Sequence, residues 1–542
     1  MHRQAPGEVM TTTTGTAPLL APAGDHRNAT RTVGAPLARA LAVSPGATAV
    51  VCAGVELTYA ELGARVRRLI GALAGLGLER GDRVAVLGAN GHRYLELYLA
   101  VPAAGLVIVP LNTRHTDVER CYAIADSGAR VLITDRAVAG VDAGVRVVDL
   151  EAGASGATGE GLLYDRLLAD ASEVPVPDGE DAPAEHDLAG IFYTGGTTGA
   201  AKGVMLTHGN LVANAFHFMA CWPFTEDTRF MVVAPMFHAA GTIGTLATIW
   251  AAGTQVIVPA FTPGGVLDVV ETERVTATLV VPTMMDALAV EQRERPRDVS
   301  SLRWLSHGSS PAARELLRRT HATFPAASML HIYGLTETSP IVTLHPDEQL
   351  RLDSARAMSC GRPAVGVEVR IEDPVERTTL PSGQVGEVAI RGANVTAGYW
   401  HKPEETAKVL DGGWFRSGDL GYLDDAGYLF LVDRAKDMIV SGGENVYSAE
   451  VENALYSHPA VVEAAVFGVP DDRFGEAVHA TVQVRAAVTA DELVAHCRLT
   501  IAGYKVPRTV ELREDPLPKS GAGKILKRTL RDAYWEGRES KL

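Results

Sequence analysis

Residues 193–203 read YTGGTTGAAKG, a segment of glycines and threonines with one lysine near its end. Its glycines allow tight backbone turns that present N–H groups to an anion, and its threonines add hydroxyl donors. Lys202 adds a positive charge beside these donors. The composition predicts a loop that holds phosphate, although a flexible loop without a function explains this segment alone equally well. It is not a Walker A loop, because Gly-Lys-Ser/Thr is absent from it.

The sequence around this loop alternates between strand and helix signals. Thr58 and Glu61 form a capping box, which predicts a helix that begins there and ends near Gly77. Short, almost continuously apolar runs between helical segments predict the buried strands of α/β layers. These runs are residues 84–87, 106–109, 131–133, 191–193, 231–233, 256–258 and 279–281.

Residues 230–267 contain no Asp, Glu, Lys or Arg, which raises the question of a membrane span. Prolines, glycines and His238 interrupt this stretch. A buried strand, helix and strand of a large α/β core explains it better, so no membrane span is predicted.

The pattern changes twice in the second half of the chain. After Cys360, short alternating runs at 367–371 and 386–391 predict a small antiparallel β subdomain. After Asp433, helix and strand signals indicate a compact α+β module that is large enough to be a separate domain.

These changes predict an α/β protein of two domains. The large N-terminal domain is expected to consist of layered α/β subdomains over residues 31–433, with the β subdomain at about 361–433. A small α+β C-terminal domain is expected over residues 434–542. Residues 1–30 are predicted to be a disordered tail.

The composition is that of a soluble globular protein, with 46% apolar and 21% charged residues among 542. A net charge of −15 argues against a nucleic-acid partner, because phosphate neutralisation needs clustered Lys and Arg. Five scattered cysteines without a CxxC argue against a disulfide framework and a zinc site, and they fit a reducing cytoplasm. The N-terminal residues lack an apolar h-region, so the expected location is cytoplasmic.

Four further segments carry chemistry. Residues 333–338, YGLTET, place a carboxylate beside hydroxyls, as a Mg²⁺ site on a nucleotide requires. Residues 414–421, WFRSGDLG, place an aspartate where it can accept ribose hydroxyls. Residues 432–437, VDRAKD, and 441–445, SGGEN, lie at the predicted domain boundary. Residues 518–524, PKSGAGK, end in a lysine that can neutralise charge in another domain's site. Taken singly, these segments are explained better by a turn, a solvated linker or an exposed tail.

In this order and at these spacings, the five segments resemble the acyl-adenylate-forming superfamily, and most closely its acyl-CoA synthetases. The resemblance covers nearly the whole chain after the N-terminal tail. It implies an acid–thiol ligase that converts a carboxylate and ATP to acyl-AMP and pyrophosphate, with Mg²⁺, and then transfers the acyl group to CoA. It also implies that the small C-terminal domain is mobile, because members of the family use one site for both half-reactions.

The resemblance assigns the nucleotide site residue by residue. It implies that Tyr333 packs on adenine, that Asp419 and Arg434 hold the ribose, and that Glu337 is the Mg²⁺ ligand. Gly195 stands where the family usually has Ser, and Ala201 where it usually has Pro before the lysine. The implied catalytic residues are Lys524, Thr336, Glu337 and His238. The implied ATP-binding residues are Thr194, Gly195, Gly196, Thr197, Thr198, Gly199, Lys202, Ser309, Ser310, Pro311, Tyr333, Gly334, Asp419 and Arg434.

The second half-reaction is assigned in the same way. The resemblance implies a hinge at Lys436, about which rotation withdraws Lys524. The CoA-binding residues that then reach the site are Gly442 and Gly443. The implied acyl pocket consists of His238, Met284, His307, Gly308, Ile332, Pro340 and Ile341.

The identity of the acid and of the acceptor stays open. No aspartate occurs at Ala234 or Pro235, where amino-acid-activating members usually carry one, so a small-molecule acid without an α-ammonium group is favoured. A carrier-protein thiol or a nitrogen nucleophile is the alternative acceptor to CoA, and a homodimer is left open. A non-catalytic nucleotide sensor is disfavoured, because both Lys524 and Glu337 are present.

Overall fold

The computed structural model describes residues 31–151, 153–154, 162–177, 181–194, 201–310, 312, 314–434, 437–441, 444–471, 473–519 and 525–536. The predicted tail at 1–30 lies outside these residues. Among the helices described, none is both long and apolar enough to cross a membrane.

The first part of the chain builds a seven-stranded sheet flanked by helices. Its order is β7-β6-β5-β3-β4-β8-β9, and only the β8–β9 pair is antiparallel. The predicted capping box is present, since the Thr58 backbone N–H donates to Glu61 Oε2 and the Glu61 N–H donates to Thr58 Oγ1. The elements are α1 (Ala35–Val43), β1 (Thr48–Cys52), β2 (Val55–Thr58), α2 (Tyr59–Gly75), β3 (Arg83–Leu87), α3 (His92–Ala103), β4 (Val107–Pro110), α4 (Asp117–Ser127), β5 (Ala129–Thr134), β6 (Arg146–Asp149), β7 (Leu162–Leu163), α5 (Tyr164–Asp170), β8 (Leu188–Thr194) and β9 (Lys202–Thr207).

The second part completes a nine-stranded sheet in the order β16-β15-β14-β13-β12-β10-β11-β1-β2. The buried strand, helix and strand predicted from the uncharged stretch are confirmed as β10, α7 and β11. The elements are α6 (His208–Cys221), β10 (Arg229–Val232), α7 (Ile243–Trp250), β11 (Thr254–Ile257), α8 (Pro263–Thr272), β12 (Ala277–Val280), α9 (Pro282–Glu294), β13 (Trp304–Gly308), α10 (Arg314–Thr323), β14 (Ser328–Tyr333), β15 (Thr343–Pro346) and β16 (Arg362–Pro363).

An antiparallel sheet follows, in the order β17-β18-β20-β19, with β21 paired to β20. Its register places Asp419 of β20 opposite Arg434 of β21, which brings two of the sequence-predicted site residues side by side. The elements are β17 (Val367–Glu372), β18 (Gly386–Gly392), α11 (Pro403–Val409), β19 (Leu410–Asp411), β20 (Trp414–Leu423) and β21 (Leu429–Arg434).

The last part forms its own sheet, β23-β22-β25-β24, with β26 parallel to β25. Its core includes Val451, Leu455, Val466 and Leu493, and is separate from the core that joins the two large sheets. The α/β class with a smaller C-terminal unit is therefore confirmed. The elements are β22 (Ile439–Ser441), β23 (Glu444–Val446), α12 (Ser448–Tyr456), β24 (Val461–Asp471), β25 (Gly475–Val484), α13 (Ala490–Thr500), β26 (Thr509–Arg513) and α14 (Lys527–Trp535).

Candidate functional site

The phosphate loop predicted from the sequence connects β8 to β9. Thr194 and Lys202 face each other at the base of this connection, and Gly195, Gly196, Thr197, Thr198 and Gly199 lie outside the described residues. The Lys202 ammonium lies 2.7 Å from Glu405 Oε2, on α11 of the antiparallel subdomain. Hydrogen bonds from Lys202 and Lys408 lower the pKa of Glu405 to about 2, so this carboxylate is charged at neutral pH.

The candidate metal ligand lies on the other side of the same region. Glu337 is part of a short 3₁₀ turn, Thr336–Thr338, that follows β14. The Tyr399 hydroxyl donates to Glu337 Oε1 at 2.9 Å, and the ammonium of Lys202 lies 4.9 Å from the centre of the Tyr399 ring. Burial and then the charge of Glu337 raise the pKa of Tyr399, which stays a neutral donor.

One carboxylate organises the predicted adenine and ribose residues. Asp419 is 4% exposed, accepts the Tyr333 hydroxyl on Oδ2 at 2.7 Å and contacts Arg434 Nε through Oδ1 at 2.7 Å. Asp419 raises the pKa of Arg434, which keeps the guanidinium charged. Burial and then Asp419 raise the pKa of Tyr333. The β20–β21 register brings Asp419 beside Arg434, and the hydroxyl of Tyr333 joins them by its hydrogen bond to Asp419. The resemblance assigns all three side chains to one nucleotide.

The turns beside this chain leave no room for side chains. A Cβ added to Gly334 would lie 1.5 Å from the carbonyl oxygen of Pro340, and one added to Gly308 would lie 2.2 Å from that of Ile332. Ser309 follows with a φ of +69°, in the left-handed region. The loop that continues through Ser310 therefore leaves β13 in a tightly constrained path, and Pro311 lies outside the described residues.

The predicted acyl end is apolar and is held by amide side chains. Ile341 is fully buried, its N–H donates to Asn214 Oδ1 at 3.1 Å, and its carbonyl accepts from Asn394 Nδ2 at 2.6 Å. Ile332 is 5% exposed, and Pro340 precedes Ile341 in the same buried segment. This end of the region is therefore held by neutral groups.

His238 lies close to the strand that precedes the phosphate loop. Its ring packs against that of Phe237, with centroids 4.5 Å apart. Both side chains line a small cavity together with Tyr193, the last residue before Thr194 on β8. The position next to the phosphate-loop strand fits the role that the resemblance implies for His238.

Two predicted pocket residues face other partners. His307 is fully buried, with Nε2 2.6 Å from Glu348 Oε2 and its ring stacked on His331 at 4.9 Å. Burial alone would raise the pKa of Glu348, but His307 and the neighbouring histidines lower it. Met284 lies on α9, where it is half-buried and packs against a cluster of buried apolar residues. The assignment of both residues to an acyl pocket stays a prediction.

The sequence motifs missed Tyr399, Glu405, Asn214 and Asn394. The segment that carries Tyr399 and Glu405 lies between two motifs and contains a Gly-Tyr-Trp and a Pro-Glu-Glu, which drew no chemical assignment. Their contacts reach residues about 60 to 200 positions away, as Tyr399 to Glu337 and Glu405 to Lys202 show. Lys436, Gly442, Gly443 and Lys524 were assigned from the motifs, and all four lie outside the described residues.

The chain matches known proteins over most of its length. The family model described as AMP-binding enzyme matches residues 37–400, and the one described as AMP-binding enzyme C-terminal domain matches residues 450–524. The chain is similar to the feruloyl-CoA synthase of Amycolatopsis sp, with 44% identity over 503 residues, 91% of this chain and 97% of that protein. It is 35% identical to the indoleacetate–CoA ligase of Aromatoleum aromaticum, over 90% of this chain and 95% of that one.

A solved structure resembles the whole fold. The crystal structure of ATP-bound MatB from Rhodopseudomonas palustris superposes with a TM-score of 0.83 at 33% identity, covering 93% of this chain and 99% of that one. The chain belongs to the AMP-binding enzyme family and is an AMP-forming acyl-CoA ligase that uses ATP and CoA, as its five motifs predict.

Proposed function

We propose that this ligase activates a carboxylic acid that carries an aromatic ring on a short side chain, of the kind named in its relatives. The 44% identity to a feruloyl-CoA synthase over nearly the whole chain carries this proposal, and the indoleacetate–CoA ligase supports it. The apolar residues Ile332 and Ile341 and the ring of Phe237 suit an aryl group, since burial of apolar surface drives such binding. The neutral surroundings do not favour a substrate with an ammonium group.

The roles proposed for the nucleotide residues rest on Asp419. Its two oxygens already accept bonds from Tyr333 and Arg434, so it is fixed where a ribose hydroxyl can donate to it. Lys202 would contact the phosphates, and the acid oxygen would attack the α-phosphorus as pyrophosphate leaves. The thiol of CoA would then attack the acyl carbon as AMP leaves.

Glu337 is the residue that would hold Mg²⁺. The donor set fits this cation, because a carboxylate and the adjacent Thr336 hydroxyl are hard oxygen ligands. When bound, the cation would neutralise charge on the phosphates. The chain's own contribution is to fix the carboxylate, through the hydroxyl of Tyr399, before nucleotide arrives.

The division into domains at 433/434 and the hinge at Lys436 are part of the same proposal. We expect Lys524→Ala to abolish adenylation and to leave acyl transfer from preformed acyl-AMP largely intact. We expect Gly443→Leu to impair thioester formation more than adenylation. Equal loss of both half-reactions in Lys524→Ala would count against domain rotation. An unchanged CoA reaction in Gly443→Leu would remove that residue from the thiol path.

The substrate is tested by pyrophosphate release with ATP, Mg²⁺ and a panel of acids, with and without CoA, with products identified by mass. The panel should include hydroxycinnamates, arylacetates, benzoates, straight-chain fatty acids and amino acids. Acyl-CoA formation from the aryl acids supports the proposal. Preference for a straight-chain or amino acid contradicts it, and adenylation without use of CoA would identify a carrier protein or an amine as the acceptor.

Assembly and location stay predictions. A homodimer would appear as twice the monomer mass of 57.4 kDa in sedimentation. The five described cysteines are all unpaired, which supports a reducing compartment such as the cytoplasm.

A further inference from the structure

The segment around Tyr399 is fixed to the phosphate-loop strand by its backbone. The Met205 N–H donates to the Gly398 carbonyl at 2.9 Å, and the Trp400 N–H donates to the Gly203 carbonyl at 2.8 Å. These hydrogen bonds pair residues 398–400 with β9, the strand that begins at Lys202. The position of Tyr399 is therefore set by main-chain pairing, which a change in its side chain leaves in place.

The same segment also holds the turn that contains Glu337. The Thr396 N–H donates to the backbone carbonyl of Glu337 at 2.8 Å, and the Tyr399 hydroxyl donates to its side-chain Oε1 at 2.9 Å. Both the backbone and the carboxylate of Glu337 are thus tied to this one short segment. With Oε1 engaged, the carboxylate cannot rotate freely, and among the described residues no hydrogen bond reaches Oε2.

The aromatic face of Tyr399 serves a different group. The ammonium of Lys202 lies 4.9 Å from the ring centre, and Glu405 contacts the same ammonium from α11. Glu405 is itself held by Lys408 at 2.6 Å. The Tyr399 ring and Glu405 therefore both contact the ammonium of Lys202, whose side chain is partly exposed.

We propose that Tyr399 is a positioning residue for adenylation, which aligns the metal-binding carboxylate of Glu337 and the phosphate-binding ammonium of Lys202 through two separate parts of its side chain. The inference rests on the roles proposed above for Glu337 and Lys202. Its physical basis is preorganisation: groups that are already oriented lose less freedom when Mg²⁺ and ATP bind. Tyr399 itself does not contact the reacting atoms.

Two substitutions separate the two contacts. Tyr399→Phe removes the hydroxyl and keeps the ring, so we expect the Mg²⁺ concentration that gives half-maximal pyrophosphate exchange to rise roughly tenfold, as for loss of a hydrogen bond to a charged group. ATP affinity without a divalent cation should be unchanged. Tyr399→Leu removes both contacts and should also weaken metal-free ATP binding by roughly threefold, from the lost cation–π contact.

A readout independent of turnover is the affinity for Mn²⁺, measured by electron paramagnetic resonance with a non-hydrolysable ATP analogue. Tyr399→Phe should weaken Mn²⁺ binding, and Tyr422→Phe is the matched control. Tyr422 lies in the same subdomain with its ring stacked on Phe430, so loss of its hydroxyl should change nothing. Thermal unfolding checks that each variant is folded.

The controls distinguish failure of this inference from failure of the proposed function. If Glu337→Gln weakens Mn²⁺ binding and Tyr399→Phe does not, the positioning role is wrong while the metal ligand stands. If Glu337→Gln has no effect, the role of Glu337 is wrong and the inference falls with it. The last comparison combines Glu337→Gln and Tyr399→Phe in one protein. A loss of Mn²⁺ binding free energy smaller than the sum of the two single losses would support coupling through the observed hydrogen bond. Full additivity of the two losses would overturn that coupling.

Discussion

The proposed nucleotide end and the proposed acyl end of the site are held in place by different interactions. At the nucleotide end, Asp419 joins Tyr333 to Arg434 through charged hydrogen bonds. At the proposed acyl end, the backbone of Ile341 is held by the neutral amide of Asn214, and the side chains of Ile332 and Ile341 are buried. Charged hydrogen bonds are stronger and more directional than apolar contacts. The nucleotide end therefore depends on particular atoms, whereas the acyl end depends on shape and volume.

This difference predicts that substitutions at the two ends should change different properties of the enzyme. A change at the nucleotide end should alter ATP use equally for every acid, because ATP is common to all. A change at the acyl end should alter the choice among acids and leave the KM for ATP near its original value. A substitution that violates this rule would show that the two ends are coupled.

The largest effect is expected for Asp419→Ala. It removes the proposed ribose acceptor and leaves Tyr333 and Arg434 without their shared partner. Loss of hydrogen bonds to a charged group costs about 3 kcal/mol, or roughly a hundredfold in kcat/KM for ATP. Pyrophosphate exchange at varied ATP measures it. Asp419→Asn keeps one acceptor and should lose less, and equal loss for both variants would show that charge matters more than hydrogen bonding.

A smaller loss of activity with ATP is expected for Gly334→Ala, in the turn that directly follows Tyr333. The added Cβ would lie 1.5 Å from the Pro340 carbonyl oxygen, so the turn after Tyr333 must move. Overpacking of this kind costs about 1–3 kcal/mol, so we expect a lower Tm and a higher KM for ATP. Gly366→Ala is no control, because its φ of +81° strains any side chain. Gly75→Ala on α2 is suitable, because a Cβ there meets no atom of the described residues within 4 Å.

Much of the fold could be predicted from the sequence, because local signals are consistent there. The capping box at Thr58 and the apolar runs of the large sheets are short-range patterns, and both are present in the structure. The resemblance implies that Asp419 and Arg434 both hold the ribose, but not that they pair with each other. Their contact depends on the register of β20 and β21, which no local pattern determines.

The parts that could not be predicted are contacts between distant segments. Tyr399 meets Glu337 because the segment before α11 pairs with β9, which is nearly 200 residues earlier in the chain. Likewise, the ring of His307 is hydrogen-bonded to Glu348, 41 residues further on, and no local pattern indicates that partner. Residue types indicate which groups can bind or react, but only the three-dimensional pairing shows which partners occupy them.

A moderate effect confined to the acyl end is expected for Ile332→Val. The substitution removes one buried methylene at the proposed pocket. The ratio of kcat/KM for bulky aryl acids to kcat/KM for slim acids should therefore rise by up to roughly tenfold. The KM for ATP should stay near the original value. Leu330→Val is the matched control, since it lies two residues earlier on β14, also fully buried, and should cost stability alone. An altered acid preference in the Leu330 variant would mean that general loosening explains the effect.

The smallest effect on activity is expected at His217, near Asn214, because the change there concerns stability in acid. His217 is 5% exposed, one turn after Asn214 on α6, and burial lowers its pKa to about 4 from 6.5. The unfolded chain therefore takes up a proton here below about pH 6.5, whereas the folded protein does not until about pH 4. The contribution of neutral His217 to the free energy of unfolding is therefore complete above pH 6.5. This contribution, of up to about 3 kcal/mol, is lost as the pH falls toward 4. His217→Leu should therefore narrow the Tm difference between pH 7 and pH 5 by a few degrees, which thermal unfolding at the two values measures. The exposed His186→Leu serves as control, and an equal narrowing there would remove burial as the cause.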